Sequence, residues 1–519
     1  MNALKRYWPL LLVVVAVIAA ILILPSVGGD DSDSDGESAQ SSSTSAPETP
    51  EGDTTHCVDE LQFDPSIYFY APPCVGQWDG GDNGGATYQG VTADTIKVVQ
   101  YQAFVDPAIQ ALMEDAGYYT PTDKIDAFAQ ASAEFINANY ELYGRTMELS
   151  IYEGTCSLTP VDVACLRNEF KQIVEDEQPF MVIWPIANCS ACFDELSALE
   201  TPNLGGMYFT NQFSEDRAPY HWDVQPSGTD LNQSIGQFWC SNLAGEPASL
   251  AVDGEGSVNG QPRKLGVVGV DDPEVEASVE AAKEALADCD EEIAASYFSS
   301  AELATAVQQI QAGLASMLDA GVTSVYYLSD IANPGYFMGG SQTQKYLTEN
   351  IMSGSGTQDR DDSAQQFITN PIACPLGAPC AFQTGIGLST NVYEPLGADA
   401  AARVWAAAGN EGPVPYNQAG LAWDYYALAA TLIQAAGPDL TPQNMADGVR
   451  AYPARGDAEH ALRGLPDGTF TWTRDYGLLY FEPEVTSSYN GEKGAWEAAG
   501  DRYELGQWPD DLAAEIPNR

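Results

Sequence analysis

Basic side chains are scarce: 21 Lys and Arg stand against 74 Asp and Glu, a formal net charge of −53. Such a chain repels phosphate backbones, which excludes nucleic acid as a partner, and it repels anionic lipid head groups as well. Histidine is scarcer still, with His56, His221 and His460 the whole complement. They are scattered and offer no evident triad. A GxSxG elbow, a Walker loop, an HExxH pair and a complete Rossmann fingerprint are all missing. A carboxylate pair of the glycosidase kind is defined by geometry and leaves no signature to read. An enzyme is therefore not expected, nor any cofactor. A cysteine directly after the first apolar run is missing too, since the first is Cys57, so a lipoprotein anchor is not expected.

The apolar run itself is long. Lys5 and Arg6 precede an uncharged stretch from Trp8 to Val27, and Asp30, Asp31, Asp33 and Asp35 follow it. About 20 apolar residues span a bilayer, and the positive flank keeps the N-terminus in the cytoplasm. Everything after Gly28 is then expected outside. Ser26 and Gly28 give a small-x-small pattern that would suit cleavage, but the length of the run favours a retained membrane helix, with secretion as the alternative. From Gly29 to Thr55 the composition is Asp, Ser, Gly, Thr, Glu and Pro, an acidic linker with too little apolar surface to fold. Asp31, Asp33, Asp35 and Gly36 imitate a calcium loop, yet Ser42 stands where the twelfth-position Glu belongs. No metal is expected there.

The ten cysteines lie beyond this segment, where disulfides persist. Cys57 with Cys74 and Cys374 with Cys380 are close enough for local clips. Cys240 and Cys289 lie near the ends of two expected helices that flank one strand. Cys189 and Cys192 form a CxxC, which suits a redox pair or half a zinc site, but no second CxxC accompanies it. Cys156 and Cys165 complete the set, and spacing alone leaves the pairing open.

From Ile96 onward, strand and helix patterns alternate. Strands are expected at Ile96–Gln102, Met147–Tyr152, Phe180–Trp184 and Met207–Thr210. Helices are expected from Thr122 to Tyr143, through Val163, Leu166, Phe170, Ile173 and Val174, and from Cys192. The pattern restarts with strands at Lys264–Val270, Ile293–Phe298 and Ser324–Leu328, and with helices at Pro273–Ala287 and Ala301–Asp319. This is βαβ logic: two α/β lobes, each a parallel sheet covered by helices. Polar insertions are read at Gly245–Arg263 and Ser353–Gln366. Helices follow near Asp399–Ala408, Asn417–Ala436 and Thr441–Ala451, and a terminal hairpin is read at Thr469–Phe481.

Four stretches then carry a family resemblance: GVTADTIKVVQYQAF at the first strand, MELSIYEGTCSLTPVDVACLRNEFKQIVEDEQPFMVIWPIANCSACFD, LGVVGVDDPEVEASVEAAKEAL, and VTSVYYLSDIANPGYF. In this order they resemble the type I periplasmic binding proteins of ABC importers, typified by binders of branched-chain amino acids. RYELGQWP near the C-terminus is similar to the end of actinobacterial members. The likeness spans Gly90 to Pro509; the two insertions, the extra cysteines and the absent lipidation cysteine depart from it.

The resemblance implies two Rossmann-like lobes with a ligand cleft between them. Residues 1–28 are then signal or anchor, 29–56 linker and 57–89 an N-terminal extension. Residues 90–226 form lobe one, 227–365 most of lobe two, 366–455 a return to lobe one, and 456–519 lobe two and the tail. It implies capture of a small solute, such as an amino acid, for an ABC permease, or else ligand sensing by the same fold at the membrane. Ligand would sit at the C-terminal ends of the strands. In lobe one, hydroxyls and free N–H groups at helix starts would take a carboxylate, at Asn188, Ser190, Ala191, Tyr208 and Thr210. In lobe two, Asp330 would meet an ammonium and Asp272 would occupy the facing loop. Phe104 would add an apolar wall. The resemblance also implies that Cys156 bridges to Cys189 or Cys192, leaving the other for Cys165.

Overall fold

The structure, a computed structural model, describes residues 52–105, 107, 110, 119–157, 161–185, 187–299, 306–329, 333–369, 374 and 380–517. The Trp8–Val27 run, most of the acidic linker and Asp330 lie outside the described residues. Among those that are described, no helix is long and apolar enough to cross a membrane.

Strands β1 (Thr95–Phe104), β2 (Thr146–Ser157), β3 (Met181–Pro185), β4 (Asn203–Gly206) and β5 (His221–Trp222) form one sheet in the order β2-β1-β3-β4-β5. Every pairing in it is parallel. Parallel neighbours need crossovers, and α1 (Thr122–Asn139), α2 (Val163–Asp176), α3 (Ser190–Ala198) and α4 (Asn211–Asp216) lie in those connections. Asp162 starts α2 by accepting the Cys165 N–H, and Thr210 starts α4 by accepting that of Phe213. Helix α1 buries Ile125, Phe128, Phe135 and Ile136, the helical spacing seen in the sequence.

The second sheet holds β6 (Leu265–Val270), β7 (Ile293–Ser299), β8 (Ser324–Leu328), β9 (Glu349–Met352), β10 (Ile386–Ser389), β13 (Asp475–Thr486) and β14 (Lys493–Glu504), in the order β14-β13-β10-β9-β8-β6-β7. It is parallel from β7 to β10 and antiparallel at the β13–β14 edge. Helices α5 (Gly228–Asn242), α6 (Pro273–Ala287), α7 (Ala306–Ala320), α8 (Asn333–Thr343) and α9 (Asp361–Thr369) belong to this lobe. The chain then returns to the first lobe with α10 (Ala400–Ala407), α11 (Ala419–Ala436) and α12 (Pro442–Val449). The small hairpin β11 (Arg455–Asp457) and β12 (His460–Arg463) follows.

Helix α11 is the axle of lobe one. Trp423, Tyr425 and Tyr426 are fully buried in it, and neighbouring side chains tie it to three different segments. Asp424 accepts from Tyr68 of the N-terminal extension (2.8 Å) and pairs with Arg463. Tyr425 donates to Asp223 at 2.6 Å, and Tyr426 donates to Gln100 of β1. The extension is thus part of the lobe: Phe63 packs edge-on to Phe135 at 5.3 Å, and the Cys57–Cys74 disulfide clips it.

Five sequence expectations need correction. Met207–Thr210 is a connection, and the strand lies earlier at Asn203–Gly206; there the backbone at Gly205 bends so close to the Trp184 carbonyl that a Cβ would sit 2.0 Å from its oxygen. The terminal hairpin is Asp475–Glu504, while Phe470 and Trp472 instead bond the backbone of Asp223. The return to lobe one comes after β10, not at residue 366, because β10 pairs with β9 and β13 in the second sheet. Residues 353–366 read as a polar insertion, yet Ser353, Ser355, Gln358 and Asp359 are buried. Burial is tolerated because partners are supplied: Asp359 accepts from Thr390 N–H, Asn391 N–H and the Tyr393 hydroxyl.

The cysteine pairing expected between loops is also overturned. Cys156 bonds Cys165 and Cys189 bonds Cys192, alongside Cys57–Cys74, Cys240–Cys289 and Cys374–Cys380. Cys189 is the N-cap of α3 and Cys192 lies one turn on, with Cα atoms 5.3 Å apart. Cys156 near the end of β2 and Cys165 in the first turn of α2 are 5.6 Å apart, so each pair is bridged locally.

Candidate functional site

The lobes are joined by three chain crossings that lie side by side. Asp223–Gln225, Thr390–Asn391 and Arg463–Thr473 are cross-linked: Gln225 accepts from Thr390 (3.1 Å), and Arg463 donates to Asn391 (3.1 Å). Asp223 sits buried among them, and that burial pushes its carboxyl up to about 7. Buried His221 next to it is pushed the other way, to about 3, again by burial.

Away from the crossings the lobes meet at the start of α6. Asp272 caps α6 by accepting the Glu274 N–H at 2.9 Å, and its other oxygen accepts the Ser190 N–H at 2.9 Å. One carboxylate therefore sits at two helix N-termini, one from each lobe, where free N–H groups and the helix dipole favour negative charge. Glu274 repeats the pattern by accepting the Thr210 hydroxyl at 2.5 Å. Of the residues singled out in sequence, Ser190, Thr210 and Asp272 are brought into this contact. Ala191 is the second residue of α3. Asn188 stands two residues before that helix, its side-chain oxygen buried without a hydrogen bond. Tyr208 is elsewhere: it reaches into lobe two, where its hydroxyl bonds Ser353 Oγ (2.6 Å) and the Ser329 carbonyl (3.0 Å). Gly228 at the start of α5 permits this, since a Cβ there would lie 1.9 Å from the Tyr208 carbonyl oxygen. Phe104 ends β1 and is 40% exposed. Asp330 lies outside the described residues.

A cavity of about 550 Å³ opens elsewhere along the junction. Lobe two contributes Arg360, Asp362 and Tyr489, lobe one Asp399, Arg403 and Tyr416, and the N-terminal extension Tyr68 and Tyr70. None of the residues picked out in sequence lines it. Its arginines are paired. Arg360 meets Asp362, Arg403 makes a two-pronged contact with Glu394 (2.8 and 2.9 Å), and Arg463 another with Asp424 (2.8 and 2.7 Å). The Arg463–Asp424 pair is almost dry, with side chains 4% and 19% exposed. The only sequence trace of this wall is the cluster of aromatics at Tyr68–Tyr70 and Tyr393, and nothing in the sequence brings those positions together.

One wholly parallel and one mainly parallel sheet, in two lobes joined by three adjacent crossings, decide the architecture. The fold is that of the type I periplasmic solute-binding proteins of ABC transporters. A branched-chain amino acid transporter protein from Thermus thermophilus, solved with bound valine, superposes with a TM-score of 0.53 at 10% identity. The match covers 80% of this chain and 97% of that one. A substrate-binding protein from Aeropyrum pernix gives 0.54 at 12% identity, over 82% and 99% of the two chains. A solute-binding protein from R. palustris, in complex with 4-hydroxybenzoate, gives 0.51 at 12% identity over 80% and 99%. No family model matches the chain, and no curated protein is similar to it in sequence.

Proposed function

We propose that this chain is a non-enzymatic, extracytoplasmic solute-binding protein that captures a small molecule between its lobes for an ABC importer. The observation that carries the reading is the cavity of about 550 Å³ at the junction, walled by both lobes and the extension, a size suited to a small ligand. Five disulfides support a location outside the cytoplasm, and the Trp8–Val27 run supports tethering to the membrane. In this reading the Asp272–Ser190 and Glu274–Thr210 hydrogen bonds hold the lobes closed over the solute.

The test is a thermal-shift screen of the full chain against amino acids, amides, aromatic acids and amines, followed by X-ray scattering on each hit. A solute that raises the melting temperature and shrinks the radius of gyration is the expected result. A chain that responds to no class, with unchanged dimensions throughout, would overturn the reading.

A further inference from the structure

We infer that the cavity at the lobe junction is a seat for a small organic cation, held by Asp399 against a wall of tyrosine rings. This rests on the solute-binding reading above and goes beyond it by naming the chemistry of the solute. The argument begins with charge. Four carboxylates line the cavity, those of Asp362, Glu394, Asp399 and Asp424, against three guanidinium groups. Each guanidinium is held by its own carboxylate, as the pairs of Arg360, Arg403 and Arg463 show. His460, the remaining basic group, is hydrogen-bonded at 2.8 Å to Asp457, which lies outside the lining. An anionic solute would have to take an arginine from a two-pronged partner and leave a carboxylate stranded in the wall, which is costly where charges are removed from water.

Asp399 is the carboxylate left over. One of its oxygens caps α10 by accepting the Ala402 N–H at 3.0 Å, and among the described residues no Lys or Arg lies within ion-pairing distance of it. Burial pushes this carboxyl above its ordinary value, with repulsion from Glu394 adding to it and attraction from the already paired Arg403 and Arg360 only partly offsetting it. A cation in the cavity would relieve both effects. The rest of the wall suits such a guest. Tyr68, Tyr70, Tyr393, Tyr416 and Tyr489 contribute rings to it, and an aromatic face attracts an alkylammonium group through its negative quadrupole. The chain already uses some of these rings in that way. The Arg360 guanidinium lies 5.4 Å from the Tyr489 centroid and 6.0 Å from that of Tyr393, and Arg463 lies 4.3 Å from Tyr70.

The full chain is titrated by calorimetry with choline and tyramine as cations, 4-hydroxybenzoate as an anion and valine as a zwitterion. At least one cation is expected to bind, and Asp399→Asn, which keeps the helix cap, is expected to weaken it by about tenfold or more. Tyr489→Leu serves as a second variant that leaves the carboxylate in place and should weaken the same cation by about threefold or more. Binding confined to 4-hydroxybenzoate or valine, or cation binding indifferent to both substitutions in folded protein, overturns the cation assignment while leaving solute binding intact. Silence with all four probes removes the cation assignment, and the same silence across the wider screen removes the function on which it rests.

Discussion

Around Asp272 the two lobes touch, and beside Asp399 they enclose a cavity. In the first region a lobe-two carboxylate fills the N-terminus of a lobe-one helix, with a second acid beside it on Thr210. In the second region each arginine is neutralised on the spot, and about 550 Å³ remains unfilled by protein. Helix starts present ready-made donors, so in a closed arrangement the chain satisfies them with its own acids. A volume walled by paired charges and rings has no such internal candidate. Where a fold leaves donors free and where it leaves space can be different places.

The sharpest way to break this comparison is to unpair the cavity wall. Arg463→Met strands Asp424 in a nearly dry site, and unfolding by urea should show a loss of about 3–5 kcal/mol. Adding Asp424→Leu should restore much of it, because the isolated charge is what costs most. If the single variant is as stable as the parent, the wall is wetter than its geometry implies.

The crossings that link the two regions can be probed by pH. Burial raises the Asp223 carboxyl from 3.8 to about 7, so the folded state holds that proton more tightly than the unfolded chain. Its contribution to stability is full below about pH 4 and is lost as pH rises through about 7. His221, depressed from 6.5 to about 3, contributes with the opposite sign, losing stability as pH falls. Between about pH 4 and pH 6.5 the two contributions oppose each other, so Asp223→Asn should leave that of His221 uncompensated and make stability fall more steeply as pH drops through this range. Melting curves across that range check it; an unchanged profile would mean that Asp223 is ionised at no cost in the fold.

A smaller effect is expected at the direct contact. Asp272→Ala removes a helix cap and one hydrogen bond between the lobes, worth about 1–2 kcal/mol together. Unliganded protein should then show a larger radius of gyration by X-ray scattering, while Asp272→Asn should fall between the two. Identical scattering from all three would mean that this contact does not hold the lobes closed.

Much of the fold was legible beforehand. Pro273–Ala287 and Ser324–Leu328 have the bounds expected of them, because a prolonged apolar period and a proline after a capping Asp are local signals. The candidate site was legible only in part. Ser190, Thr210 and Asp272 could be named through the family resemblance; what each one touches could not. Residues 353–366 were misread, since polar side chains look solvated until their partners, as with Asp359 and the Thr390–Asn391 backbone, are in view.

By itself, the sequence determined the long apolar run near the N-terminus, the acidic balance, the two-lobed α/β order and the set of cysteines available for bridging, all of which depend on composition, period or spacing along the chain. Tertiary structure alone decided how the four cysteines that spacing left open pair, what each helix-start donor touches and where space is left. The last of these depends on contacts between residues hundreds of positions apart, such as Tyr68 and Asp424, which no local pattern encodes.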